Sequence, residues 1–228
     1  MADSPHIAET DKRTRILLVD DHPIVRQGIS LLVDQEPDMM VCAEADSAPA
    51  ALRALEKARP DVAVVDLTLK ESLGLELVKD IRARFPEVLV LVYSMRDESF
   101  YAERVLRAGA RGYVTKEEGG RTVLEGVRRI MQGQVFLSEK MASKMLGRIV
   151  GTGRQELGDP IQKLSDRELE VFEMIGQGLP TREIAERLHL SPKTVDSHRE
   201  HIKEKLQIDS ATELLKHAIE WVRHRKGM

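Results

Sequence analysis

The sequence is nearly without cysteine: Cys42 is the single one in 228 residues. No disulfide framework can be built from it, and the natural setting for such a chain is a reducing cytoplasm. An excess of one charge is also missing. Lys+Arg number 35 against 38 Asp+Glu, a net of −3, so the whole chain gives no sign of a polyanionic or membrane partner. No apolar run approaches the roughly 20 residues that span a bilayer. The opening MADSPHIAETDKR lacks the apolar centre of a signal peptide. Internal repeats and low-complexity tracts are absent as well. What is left, 42% hydrophobic and 32% charged residues, is an ordinary globular composition with core enough for one or two domains.

From Arg15 onward, apolar runs alternate with amphipathic stretches. ILLV (16–19), MMVCAEA (39–45), VAVVD (62–66), VLVLVYS (88–94) and GYVTK (112–116) read as strands. The first, third and fourth are apolar without alternation, as in a parallel sheet covered on both faces. Between them lie helical patterns, the first opened by Pro23 and two stopped by Pro60 and Pro86. Five βα units predict a doubly wound α/β domain, and five strands fit the flavodoxin-like order 2-1-3-4-5. The first half of residues 138–163 can form a short helix. GTGRQELGDP then reads as linker. Beyond it the chain is helical only. The predicted division is 14–133, a helix and linker over 134–163, and an all-α four-helix unit over 164–228.

In a doubly wound sheet, ligands bind at the carboxyl ends of strands beside the switch point. In the predicted order the first and third strands are neighbours, which brings Asp20, Asp21 and Asp66 together. Ser94 and Lys116 end the fourth and fifth strands on the same rim. Three crowded acids repel unless a cation joins them. Mg²⁺ takes oxygen ligands and commonly bridges carboxylates to phosphate. Such a site suits phosphoryl transfer, with Asp66, alone on its strand, as the nucleophile. Any one of these acids could simply cap the next helix. Five polar residues at strand ends together are harder to explain that way.

VDDHPIVRQGI, VVDLTLKESLGLELV, VYSM and GARGYVTK resemble the receiver domain of bacterial two-component response regulators, over about residues 14–133. The resemblance implies Asp66 as phosphoacceptor and Asp20, Asp21, Asp66 and the Thr68 carbonyl as Mg²⁺ ligands. It implies Ser94 as switch hydroxyl, Lys116 as the phosphate-binding lysine and Tyr113 as the switch aromatic. Phosphorylation would draw Ser94 and Tyr113 inward. There are two departures from the pattern. Leu69–Lys70 stands where many receivers have Met-Pro, and Glu117 replaces the proline that often follows the lysine. Gly74 keeps its family place. A haloacid-dehalogenase phosphatase also uses a strand-end Asp with Mg²⁺, but it needs a second Asp where Thr68 stands.

LSDRELEVFEMIGQG opens with a capping-box pattern, Ser165 and Glu168. LPTREIAERLHL, a turn at His189–Leu190–Ser191 and SPKTVDSHREHIKEKL follow, with Pro192 at the first helical position. A short helix, a tight turn and a longer helix is the helix-turn-helix pattern. Lys193, Thr194, Ser197, His198, His201 and Lys205 form an exposed face with donors for phosphates and base edges. Residues 160–228 carry as many acids as bases, so DNA affinity would come from this face and from dimerisation. His198 and His201 stand at i, i+3, but no cysteine or third ligand accompanies them, so a metal is not expected.

The stretch from Leu164 to Ile208 is similar to the LuxR-type helix-turn-helix. That similarity implies Lys193, Thr194, Val195, Asp196 and His198 on the recognition helix in the groove and Lys205 on the DNA backbone. It implies dimerisation through the last helix, with Leu214, Ala218 and Trp221. Together the resemblances imply a cytoplasmic response regulator of the NarL/FixJ subfamily, not an enzyme on an outside substrate. Its partners would be a sensor histidine kinase, double-stranded DNA and a second copy of itself, with no membrane. The alternative is a receiver-like DNA-binding regulator that acts without phosphate.

Overall fold

The computed structural model describes residues 13–69, 72–149 and 160–225. Lys70 and the GTGRQELGDP stretch up to Asp159 lie outside the described residues. The chain divides into two compact units. The first contains the sheet. The second runs from Leu137 onward and also takes in Arg96–Arg104.

The first unit alternates strands and helices: β1 (Thr14–Val19), α1 (Pro23–Val33), β2 (Met39–Ala45), α2 (Ala48–Ala58) and β3 (Val62–Val65). Two strands of two residues each, β4 (Thr68–Leu69) and β5 (Ser72–Leu73), pair with each other. Then come α3 (Gly74–Arg84), β6 (Leu89–Ser94), α4 (Glu98–Ala108), whose residues up to Arg104 group with the second unit, β7 (Gly112–Thr115) and α5 (Gly120–Met131). The five-stranded sheet has the order β2-β1-β3-β6-β7, and its four ladders are parallel. This is the predicted 2-1-3-4-5 order, with the short β4–β5 pair inserted after the third strand.

Side chains alternate across a strand, and here both faces are buried. Ile16, Leu18, Val62, Val64, Leu91, Tyr93 and Val114 form one core with Ile29 and Val33 of α1 and Val123, Val127 and Ile130 of α5. Their strand neighbours Leu17, Val19, Ala63, Val65, Val90 and Val92 are equally buried, as are Ala51 and Leu55 of α2 and Val78 and Ile81 of α3. That is why the strands read as unbroken apolar runs. Helix α2 ends at Arg59, whose left-handed φ of 43° turns the chain into Pro60. On the far side of the sheet the chain after α5 returns to β7. Phe136 N–H donates to Arg111 C=O at 2.9 Å, and Tyr113 N–H donates to Phe136 C=O at 2.8 Å.

The second unit holds α6 (Glu139–Ile149), α7 (Asp166–Gly176), α8 (Thr181–Arg187), α9 (Pro192–Leu206) and α10 (Ala211–Arg225). Ser165 caps α7: Ser165 N–H donates to Glu168 Oε2 at 2.7 Å, and Glu168 N–H donates to Ser165 Oγ at 3.4 Å. Ser191 caps α9 by accepting from Thr194 N–H at 3.1 Å. The turn between α8 and α9 passes through His189, at a φ of 51°. Leu169, Phe172, Ile175, Ile184, Val195, Ile202, Leu214 and Ala218 are buried as this unit's core. Helices α7 and α10 approach closely at Gly176, where a Cβ would lie 2.3 Å from Ala218 O.

Glu170 lies buried in α7, and burial pushes its carboxyl up to about 7 although Arg167, at 3.1 Å, opposes the shift. In the unfolded chain it titrates near 4.5. Below that pH both states hold the proton and folding loses nothing. Between 4.5 and 7 only the folded state holds it, so stability falls as pH rises, and above 7 the full penalty of about 3 kcal/mol applies. Glu170→Gln is therefore expected to melt close to wild type at pH 4.5 and clearly above it at pH 8. Equal melting temperatures at pH 8 would refute the assignment.

Candidate functional site

The polar rim begins where β1 and β3 stop. The ladder runs one residue past each strand: Asp66 N–H donates to Val19 C=O at 2.8 Å, and Asp20 N–H donates to Ala45 C=O at 3.1 Å. This fixes both acids at adjacent strand ends. Asp66 is held in place by Gly74 as well. A Cβ there would lie 2.1 Å from Asp66 O and 2.6 Å from Leu67 Cα, a clash no side chain survives. Glycine at position 74 lets the first turn of α3 close against the acid's own backbone.

Asp66 is buried, and both its oxygens are engaged. Oδ1 accepts from Ser94 Oγ at 2.7 Å and from Thr68 N–H at 3.0 Å. Oδ2 meets Lys116 Nζ at 2.6 Å, and the same ammonium lies 2.6 Å from Asp20 Oδ2. Burial works to strip the proton from Lys116, but the Asp66 and Asp20 carboxylates outweigh it and hold Lys116 above the ordinary lysine value. The ammonium also lies 5.9 Å from the centre of the Tyr93 ring. The backbone at Lys116 is a 3₁₀ turn over Lys116–Glu118. It is tied by the Glu118 carboxylate, which accepts from Thr115 N–H at 2.9 Å and Thr115 Oγ1 at 3.0 Å. Glu117 is thus accommodated without the proline expected from many receivers.

The third acid, Asp21, joins through His22, whose Nδ1 lies 2.8 Å from Asp21 Oδ1 and 3.1 Å from Asp20 Oδ1. Ligand atoms of Asp20, Asp21, His22 and Asp66 all lie within 4.8 Å of one another. Three clustered carboxylates with hard oxygen donors fit a magnesium ion. Sequence reasoning passed over His22. Its signal was position alone, directly after the two acids.

Ser94 already donates to Asp66, and Tyr113 is already 1% exposed. Both side chains therefore face inward in this structure.

In α9, Lys193, Asp196 and Ser197 are exposed, and Thr194 and His198 are half-buried. Burial holds the His198 imidazole below the ordinary histidine value, so it adds little charge near neutral pH. Val195 is fully buried and belongs to the core, which removes it from the residues that could touch a base. Lys205 pairs with Glu168 Oε2 at 2.6 Å. Burial works to raise Glu168, but Lys205 and Ser165 outweigh it and hold its carboxyl below the usual range. In α10, Leu214 and Ala218 are fully buried against their own unit, so they are not free to meet a second copy. Leu215, next to Leu214, is the exposed leucine. Trp221 packs edge-on to Phe172 at 5.6 Å. Among the described residues, no helix is long and apolar enough to cross a membrane.

Comparison with known proteins matches residues 16–128 to the response regulator receiver domain and residues 162–218 to the bacterial regulatory proteins of the luxR family. The oxygen regulatory protein NreC of Staphylococcus aureus is 34% identical over 209 residues, 90% of this chain and 96% of that one. RcsB from Salmonella enterica serovar Typhimurium, solved on promoter P1flhDC with the phosphomimetic BeF3-, superposes with a TM-score of 0.65. It is 26% identical over 90% of this chain and 98% of RcsB. A LuxR-family two-component response regulator from Aurantimonas sp. SI85-9A1 is 36% identical with a TM-score of 0.56, over 60% of this chain and 99% of that one.

Proposed function

The chain belongs to the response regulators that join a receiver domain to a LuxR-type DNA-binding domain, and on that premise we propose that it takes a phosphoryl group on Asp66 and converts its presence into DNA binding. The donor is a sensor histidine kinase and the target is double-stranded DNA, bound by two copies. The observation that carries the reading is the convergence of Ser94 Oγ and Lys116 Nζ on the two oxygens of one buried carboxylate, beside Asp20.

Asp66 attacks the phosphorus of a phosphohistidine. The new bond joins a carboxylate oxygen to phosphorus, the nitrogen–phosphorus bond breaks, and its electron pair returns to the imidazole. Asp20 and Asp21, with Asp66, would hold Mg²⁺, which when bound neutralises the incoming phosphoryl oxygens. Lys116 passes from the Asp66 oxygen to a phosphoryl oxygen, so its charge stays in the site. Ser94 and Thr68 N–H hold the second carboxylate oxygen and orient the first. Cytoplasmic residence follows from the kinase and DNA partners.

In α9, the exposed Lys193 and Ser197 with the half-buried Thr194 and His198 offer donors to DNA, and Asp196 an acceptor for cytosine N4. Exposed α10 residues around Leu215 offer the face for a second copy.

The test is direct. The full chain incubated with acetyl phosphate and Mg²⁺ should gain one phosphoryl group by intact mass. Hydroxylamine should remove it, as it does an acyl phosphate. A chain that gains nothing, or an adduct that resists hydroxylamine, refutes the reading. A second reading has one observation in its favour: Ser94 and Tyr113 already face inward without phosphate. A chain that takes no adduct yet binds DNA as a dimer would be a regulator acting without phosphorylation.

A further inference from the structure

Away from the rim, the described residues hold a second cluster of metal-ligating side chains. Glu168, in the first turn of α7, lies beside His198 and His201 of α9. A ligand atom of each lies within 4.8 Å of the other two, and His201 Nδ1 is 3.9 Å from Glu168 Oε1. Counting along the sequence leaves the two histidines without a third ligand. The packing of α7 on α9 supplies one.

The Glu168 carboxylate is divided in its use. Oε2 accepts from Ser165 N–H at 2.7 Å and Lys205 Nζ at 2.6 Å. Those bonds pin a side chain that is 5% exposed. Oε1 is the oxygen nearest the His201 ring. The arrangement is a fixed carboxylate with one oxygen beside two imidazoles spaced one helical turn apart on a facing helix. From these residues we propose that Glu168, His198 and His201 form a binding site for a divalent transition-metal ion of the zinc class, with water in the fourth position.

The donor set argues for that class. Two imidazoles and one carboxylate suit zinc and its neighbours, whereas magnesium prefers oxygen alone. Bond lengths of 2.0–2.2 Å at a tetrahedral ion put ligand atoms about 3.4 Å apart. The atoms, within 4.8 Å of one another, must therefore close by at most about 1.4 Å, and rotation of the exposed His201 side chain supplies movement at its own corner. Lys205 already neutralises Oε2, so attraction to bare negative charge contributes little and the imidazoles set the selectivity. An ion bound here clamps α9 to α7 and occupies His198, one of the side chains offered to DNA.

The test uses the full chain, stripped with a chelator and held in excess Mg²⁺ so that the acidic rim is filled. Zn²⁺ binding is followed by calorimetry, and Co²⁺ binding by its visible absorption, which distinguishes a tetrahedral nitrogen-containing site from an octahedral oxygen one. Wild type should bind one ion in a tetrahedral site. His198→Gln and His201→Gln should each weaken it by about tenfold or more, since altered outer-shell groups alone cost that much at other metal sites. Glu168→Gln also removes a helix cap, so the exposed His201→Gln, checked for an unchanged melting curve, carries the decision. Failure of wild type to bind Zn²⁺ overturns the proposal, as does undiminished binding in His201→Gln.

Discussion

Asp66→Asn is expected to take up no phosphoryl group from acetyl phosphate and Mg²⁺, with the mass spectrum at background where wild type shows a single adduct. The reason lies in what the substitution keeps and removes. An asparagine amide oxygen can still accept from Ser94 Oγ and Thr68 N–H, the two donors on Asp66 Oδ1. Lys116 keeps its partner in Asp20, 2.6 Å away. The fold of the rim therefore survives, and a melting curve should confirm it. What disappears is the anionic oxygen on which Lys116 rests and which would form the new bond to phosphorus. An adduct that persists in this variant would place the chemistry on another residue. DNA binding that responds to acetyl phosphate in Asp66→Asn as it does in wild type would separate regulation from this site.

Lys116→Met should lower stability by about 3 kcal/mol in the presence of a chelator, and Mg²⁺ should return much of the loss. Lys116 bridges two carboxylates whose side chains are almost fully buried, 2% exposed at Asp66 and 7% at Asp20. Removing one member of a buried ion pair leaves the partner charge uncompensated, and here it leaves two that repel. A divalent cation bound by the same acids would supply the missing charge, and ligands that bind only the folded state stabilise it by mass action. The midpoint of denaturation in the variant should thus climb more steeply with Mg²⁺ than it does in wild type. A variant as stable as wild type in chelator, or one indifferent to Mg²⁺, would show that Lys116 is not the resting counter-charge of the rim.

The sheet and its acidic rim were legible because their causes are local. Unbroken valine and leucine runs announce strands buried on both faces, and prolines at 60 and 86 stop helices where φ and the missing N–H require it. β2 runs over Met39–Ala45, the same residues as its sequence signal. The β4–β5 pair was illegible, since two residues carry no periodicity. So was the left-handed turn at Arg59, where a residue other than glycine takes a positive φ. In α9 and α10 the helices were legible but their orientation was less so. Val195, Leu214 and Ala218 are core because α7 packs on both helices, a fact of tertiary contact. The approach of Glu168 to His198 and His201 depends on the same packing, as does the buried charge of Glu170. None of these can be computed from spacing along one chain.

The return of the chain to β7 has one more consequence. β7 is the last strand of its sheet, and an unpaired edge is a template on which another molecule can add a strand. Phe136 occupies that template at Arg111 and Tyr113. A receiver fragment cut at Gly133, where the repeating βα pattern ends, would bare this backbone and invite edge-to-edge aggregation. The compact unit that holds the sheet extends through Phe136, and its final residues act as a seal on the sheet edge.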